Sequence, residues 1–198
     1  MSDTGQVIFD SYSDAGIVVA IGLVNELAIA GRAGDNALQA IDSLLEFDPP
    51  TRARLRRRHV AGFSSLATTL HDIMRAVDGG DLDTAANALN EILEQHPAKP
   101  HLEKGPDGRW QLHHHPATVE LVPMYTSICA EILARLIGTG HQQRLGLCAD
   151  PACGRAYLDH SKNNSRRFCS LTCQNRAKTA AFRTRQRTTP TPIAGPRR

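Results

Sequence analysis

Cys148-Ala-Asp-Pro-Ala-Cys153-Gly154, followed after fifteen residues by Cys169-Ser-Leu-Thr-Cys173, decides how the C-terminal part of this chain is read. The pattern is C-x4-C-x15-C-x3-C, and it gathers four of the five cysteines into 26 residues. Two close thiol pairs on either side of a short loop suit a tetrahedral zinc ion, each pair gripping one edge. Pro151 restricts φ and Gly154 permits a tight turn, so the first pair is predicted to sit on a turn whose amide N–H groups face sulfur. Ala156-Tyr157-Leu158 reads as a strand, 159–165 as a turn, and Arg166-Arg167-Phe168 as the returning strand. Cys169 is expected to open a helix running through Arg187, with Cys173 one turn later on the same face. A turn, a hairpin and a helix make a treble-clef-like module. Its core is too small to hold by burial, so zinc would contribute most of its folding energy, on the order of 10 kcal/mol. Four thiolates leave no vacant position on the ion, which argues against catalysis by it. With the tetrahedron complete, His160 is not needed as a ligand.

Working outward, charge divides the chain. Net charge is only +3, yet residues 144–198 hold 12 Lys/Arg against 2 Asp/Glu, while residues 1–143 hold 11 against 18. An acidic body with a basic arm is a pattern of nucleic-acid or anionic-surface binders. Four thiolates on a divalent cation subtract about two charges from the arm without changing its sign.

The start, Met1-Ser-Asp-Thr-Gly, lacks the basic n-region of a secretory signal. The apolar run 15–30 contains Asn25 and Glu26 and is too short to span a bilayer. A cytoplasmic protein with no membrane partner is therefore expected, in which paired cysteines hold metal rather than form disulfides. Cys129, alone in an apolar helical stretch, reads as a buried structural thiol.

Hydrophobic residues make up 41% of the chain but aromatics only 5%, which favours helix over sheet. Helices are predicted over 14–31, with Asp14 as N-cap and Gly31 as stop, and over 35–47, broken by Pro49-Pro50. A long helix is predicted from Thr51 to Asp78, with Phe63, Leu66, Leu70, Ile73 and Val77 on one face. Asp81 should cap a fourth helix with a Leu82, Ala85, Ala86, Leu89, Ile92 and Leu93 stripe. The period then changes. Residues 100–103 and 109–115 flank Lys104-Gly-Pro-Asp-Gly108, the signal of a β-hairpin, with Trp110 expected to pack. A fifth helix is expected over 117–137, with Val122, Tyr125, Cys129, Ile132 and Leu136 inward. The fold class is mainly α with a small β component: a helical N-terminal domain with one hairpin (1–143), a treble-clef-like zinc finger with a basic helix (144–187), and a disordered tail (188–198).

On the zinc-bearing helix and just before it lie Arg166, Arg167, Asn175, Arg176, Lys178, Arg183, Arg185 and Arg187. Arg176, Arg183 and Arg187 share one helical face, and Lys178 and Arg185 another. A basic helix anchored by metal at its N-terminal end can enter a major groove, where Arg and Asn read bases, while Arg166 and Arg167 hold phosphates. The competing reading is a solvated charge run, favoured in any case at a helix C-terminus. Elsewhere, His113 and His115 share a strand face without a neighbouring acid or thiol to complete a second metal site. Arg52, Arg54, Arg56, Arg57 and Arg58, with His59, read as the polar face of the long helix, with an anion pocket or a partner contact as the alternative. No catalytic constellation is visible, so an enzyme is not expected.

The segment from Cys153-Gly154 through Arg176, with Asp159, Ser161, Asn163, Ser165-Arg166-Arg167-Phe168-Cys169-Ser170 and Cys173-Gln174-Asn175-Arg176-Ala177-Lys178, resembles the CGNR zinc finger. Upstream, Leu23-Val24-Asn25-Glu26-Leu27 and the turn before Trp110 resemble the companion ABATE domain. Gln174 replaces the family's glycine, Phe168 its tryptophan, Lys162 an arginine, and Glu26 a threonine. The resemblance implies a bacterial transcription regulator with Cys148, Cys153, Cys169 and Cys173 as zinc ligands. Double-stranded DNA is the expected partner of the finger. The N-terminal domain is expected to sense a small ligand or mediate association with a protein partner, self-association included. The alternative is a non-catalytic adaptor whose finger binds protein or RNA.

Overall fold

The computed structural model describes residues 11–97, 99, 101–105, 108–113 and 120–188. In it the chain is mainly helical with two small two-stranded sheets. Helix α1 (Ser11–Leu23) runs directly into a π-helical turn, Val24–Ile29. The helix is already under way before Asp14, so that residue is not its cap; Gly31, at φ 62°, ends it as expected. Helix α2 spans Gly34–Leu44.

The predicted 51–78 helix is broken. Pro49 and Pro50 open a four-residue helix α3 (Pro49–Arg52), where a missing N–H is harmless, and Asp48 caps it by accepting from the Thr51 amide. The arginine run then satisfies itself locally. The Arg56 amide donates to His59 Nδ1 and its guanidinium to the carbonyls of Ala53 and Leu55, bonds that compete with a helical ladder. Arg52 pairs with Asp42 and Arg57 with Asp35. Helix α4 (Val60–Asp78) starts only afterwards and buries the predicted stripe of Phe63, Leu66, Leu70, Ile73 and Val77.

Asp81 caps α5 (Leu82–Gln95) through the Thr84 amide, and Ala85 and Leu89 are its buried positions. Strands β1 (His101–Lys104) and β2 (Trp110–His113) form the antiparallel hairpin, Leu102 opposite Leu112 and Lys104 opposite Trp110. Trp110 does not pack as expected: it is 66% exposed, on a two-stranded hairpin too small to bury an indole by itself. Of the histidine triplet, His114 and His115 lie outside the described residues, as do 1–10 and the tail from 189.

Helix α6 (Leu121–Gly138) is the central core element, burying Tyr125, Cys129, Ile132 and Leu136, with Val122 partly covered. It is the one described helix long and apolar enough to cross a membrane, but most of it is buried among α1, α4 and α5. Burial pushes the Cys129 thiol up to about 12, so it stays protonated, as expected of a structural thiol.

The chain enters its second sheet earlier than predicted. Leu145–Leu147 is strand β3, and it pairs antiparallel with β4 (Ala156–Leu158). Residues 166–168 run beside the sheet without joining it. Leu145, Ala156 and Leu158 belong to the same hydrophobic core as α1, α4 and α6. Helix α7 (Leu171–Thr188) closes the described chain.

Candidate metal centre and nucleic-acid interface

Cys148 and Cys153 flank the β3–β4 turn, and Cys169 and Cys173 bracket the start of α7. Their four sulfurs lie within 4.8 Å of one another. Cys153 and Cys169 Sγ are 3.5 Å apart, and Cys169 and Cys173 Sγ 3.6 Å. Ligands about 2.3 Å from a tetrahedral zinc stand about 3.8 Å apart, so this donor set fits that ion in both chemistry and spacing.

The turns supporting the sulfurs follow from their residues. Gly154 takes φ 66°, letting the chain reverse after Cys153, and the Cys153 amide donates to the Asp150 carbonyl. The Cys169 amide points at Cys148 Sγ, 3.4 Å away. Burial works against the Cys148 thiolate, but donated amides from Cys169 and Asp150 outweigh it and hold this thiol below its usual value. Burial and then the neighbouring thiols push Cys169 up to about 12. A divalent cation reverses that balance by stabilising thiolate. Ser170 accepts from the Cys173 amide and so starts α7; Cys169 therefore precedes the helix rather than opening it.

A buried carboxylate organises the intervening loop. Asp159, 2% exposed, accepts from the Ser161 and Arg166 amides at 2.7 and 2.8 Å. Burial alone would raise its pKa, but these bonds hold it below the usual carboxylate range. Arg144 donates to the carbonyls of Asp159 and Ser161, and Asn164 sits at φ 47° with its amide group on the Gln143 carbonyl.

Residues 144–186 match the CGNR zinc finger family. No curated protein matches the chain. The match covers the finger and does not reach the helical body.

Within the CGNR finger, the basic residues singled out from the sequence separate into two groups. Arg166 belongs to the scaffold. It donates to the carbonyls of Phe168, Leu158 and Cys169, and its guanidinium carbon lies 5.0 Å above the Tyr157 ring. The Tyr157 hydroxyl in turn donates to the Arg166 carbonyl at 2.7 Å. Gly146 makes room for that ring, since a Cβ there would lie 2.8 Å from the hydroxyl. Arg176 is also held: its Nη1 is 2.9 Å from Oδ2 of Asp150, a carboxylate only 3% exposed. The pair is ionic without hydrogen-bond alignment, which leaves that oxygen without a hydrogen-bond donor.

The second group faces water. Arg167, Asn175, Lys178, Arg183 and Arg185 are exposed, and among the described residues no carboxylate pairs with Arg167, Lys178 or Arg183. The side chain of Arg187 lies outside the description. An open cleft of about 370 Å³ runs between 165–168 and the first turn of α7, lined by Arg167, Phe168, Ser170, Leu171 and Gln174 among others.

Three contacts that sequence reasoning missed seat the finger on the body. Asn25, in the π-helical turn, receives the Ala156 amide at 2.8 Å and donates to the Ala156 carbonyl at 3.0 Å. Glu26 accepts from Arg155 at 2.7 Å, and this bond, together with Arg32, holds its carboxyl below the usual range. Asp78, at the end of α4, accepts from the Leu147 amide at 2.9 Å. The one available signal was the Asn25-Glu26 pair itself, polar residues in a long apolar run.

Proposed function

We propose that this chain is a non-catalytic, zinc-binding transcription regulator whose CGNR finger presents α7 to double-stranded DNA. Cys148, Cys153, Cys169 and Cys173 would hold one zinc ion, which supplies structure and, with all four positions filled by thiolate, no site for a reacting group. The observation that carries the reading is α7 itself. Beyond Ala177 every described side chain of the helix is exposed, and after Asp159 the sequence contains no acidic residue. A basic helix whose described side chains beyond Ala177 are exposed is available to a polyanion. Arg167, Lys178 and Arg183 would neutralise phosphates, with Asn175 and Arg185 on the helix beside them. Arg166 and Arg176 support the fold and are not assigned to DNA. The helical body carries the finger through Asn25, Glu26 and Asp78, and it would be where a small ligand or a second chain acts on DNA binding, in keeping with its ABATE resemblance.

Fluorescence anisotropy of the zinc-loaded chain on mixed duplexes, across 50–300 mM salt, tests this. The expected result is a linear fall of log affinity with log salt, with a slope of about −0.9 per phosphate contact. Lys178→Ala and Arg183→Ala should each shallow the slope by about 1. Absence of duplex binding, with a protein or RNA retained instead, rejects the proposal in favour of an adaptor.

A further inference from the structure

Resting on that DNA reading, we infer that one stripe of α7, marked by Leu171, Asn175, Lys178 and Phe182, is the surface turned into the groove, that Lys178 on it meets phosphate, and that Asn175 and Phe182 read base edges and set the sequence preference. At about 100° per residue these four positions fall within about 60° of arc, on the side of the helix opposite Cys173 and Ala177. Cys173 is buried in the metal centre and Ala177 is half-buried, so the zinc fixes which side of the first two turns faces outward.

What occupies that outward side is unusual for a solvated face. Leu171 is 76% exposed and Phe182 54%, the two large apolar side chains of a helix whose other apolar residues are Cys173 and the small Ala177, Ala180 and Ala181. Asn175 and Lys178 lie between them. The stripe is continuous at its N-terminal end with the open cleft, which Leu171 and Arg167 both line. This mixture matches the major-groove wall. An Asn side chain can bond adenine N6 and N7 together, an aromatic edge can rest on a thymine methyl, and flanking cations meet phosphates on either side. Charge selects the occupant: no acidic side chain follows Asp159 in the sequence to repel a phosphate backbone, and Asp150 and Asp159 are buried.

The stripe differs from the face that composition favours. Arg176, Arg183 and Arg187 share the more basic side, but Arg176 is turned back to Asp150, so that side begins at the protein rather than in solvent. Its remaining cations suit phosphate contact, which gives affinity without sequence.

Selection from a random duplex pool, using the full zinc-loaded chain, tests this directly. All substitutions are at exposed positions, and circular dichroism with zinc analysis checks each variant. The wild type should enrich a motif containing A·T pairs. Asn175→Ala and Phe182→Ala should each lose information at one or two positions and weaken the selected site at least about tenfold, while affinity for unrelated duplex and its salt slope stay unchanged. Arg183→Ala should do the reverse, lowering affinity for all duplexes and keeping the motif. A motif that survives both Asn175→Ala and Phe182→Ala overturns the stripe. Salt-dependent duplex binding with no enriched motif also overturns it but leaves the proposed function standing. No duplex binding at all overturns both.

Discussion

The two ends of the CGNR finger meet opposite environments. Its β3–β4 hairpin is buried: Leu145, Ala156 and Leu158 share the core of the body, and Asn25 bonds both backbone groups of Ala156. Beyond Ala177, the described side chains of α7 are all exposed. The four-cysteine cluster sits at the junction, with one thiol pair on the hairpin turn and the other at the root of the helix. Burial is thus concentrated on one side of the sulfurs, and the exposed helix proposed to meet DNA lies on the other. Substitutions should sort accordingly: those on the hairpin side change folding, and those on the outer helix change binding alone.

The largest effect should come from the junction. Cys169→Ser removes one thiolate and with it a share of metal-linked folding energy that is on the order of 10 kcal/mol in structural zinc sites. Because the hairpin is part of the common core, the body should feel the loss, with a melting temperature lower by about 10 °C or more at about 3 °C per kcal/mol. A body that melts unchanged would break the claim of a shared core.

Next comes Asn25→Ala. It leaves the Ala156 N–H and carbonyl buried without partners, which should cost about 3 kcal/mol in urea denaturation with zinc stoichiometry kept at one. Arg176→Ala is expected to cost about 2 kcal/mol by stranding the Asp150 carboxylate, and to leave the salt slope of duplex binding unchanged, unlike Arg183→Ala. If Arg176→Ala shallows the slope without loss of stability, Arg176 is a DNA contact and the separation into two groups is wrong.

The smallest effect concerns pH. The folded-state pKa of Glu26 is depressed, chiefly by the Arg155 guanidinium. Its contribution is therefore present above the unfolded value of about 4.3 and is lost as pH falls through the lower folded value. Glu26→Gln should be less stable than wild type at neutral pH, and the gap should close on acidification below about pH 4.3. A gap constant with pH would mean that the ion pair with Arg155 contributes nothing.

Much of this was legible in the sequence, for reasons that are local. The four cysteines announce themselves by spacing. The stripe of Phe63, Leu66, Leu70, Ile73 and Val77 follows helical periodicity, and Asp81 is a cap read from a single residue type. What escaped depends on partners distant in the chain. Leu145–Leu147 is too short to announce a strand and becomes one because Ala156–Leu158 pairs with it. Arg166 and Arg176 look like any exposed cations until carbonyls and Asp150 are folded against them. Glu26 and Arg155 are 129 residues apart in sequence. Between Asp48 and Val60, short-range bonds outweigh helical propensity, and no periodicity could show that.

Amide hydrogen exchange on the full chain, with zinc bound and after its removal, tests the central claim most directly, namely that one metal ion fixes the root of α7 to a finger that is itself part of the body's core. The account predicts that removal releases the amides of Cys153, Cys169 and Cys173 and also quickens exchange at Ala156, Leu147 and the Asn25 turn, while α7 beyond Ala177 exchanges rapidly in both states. Equal protection at 148–176 with and without zinc would contradict it.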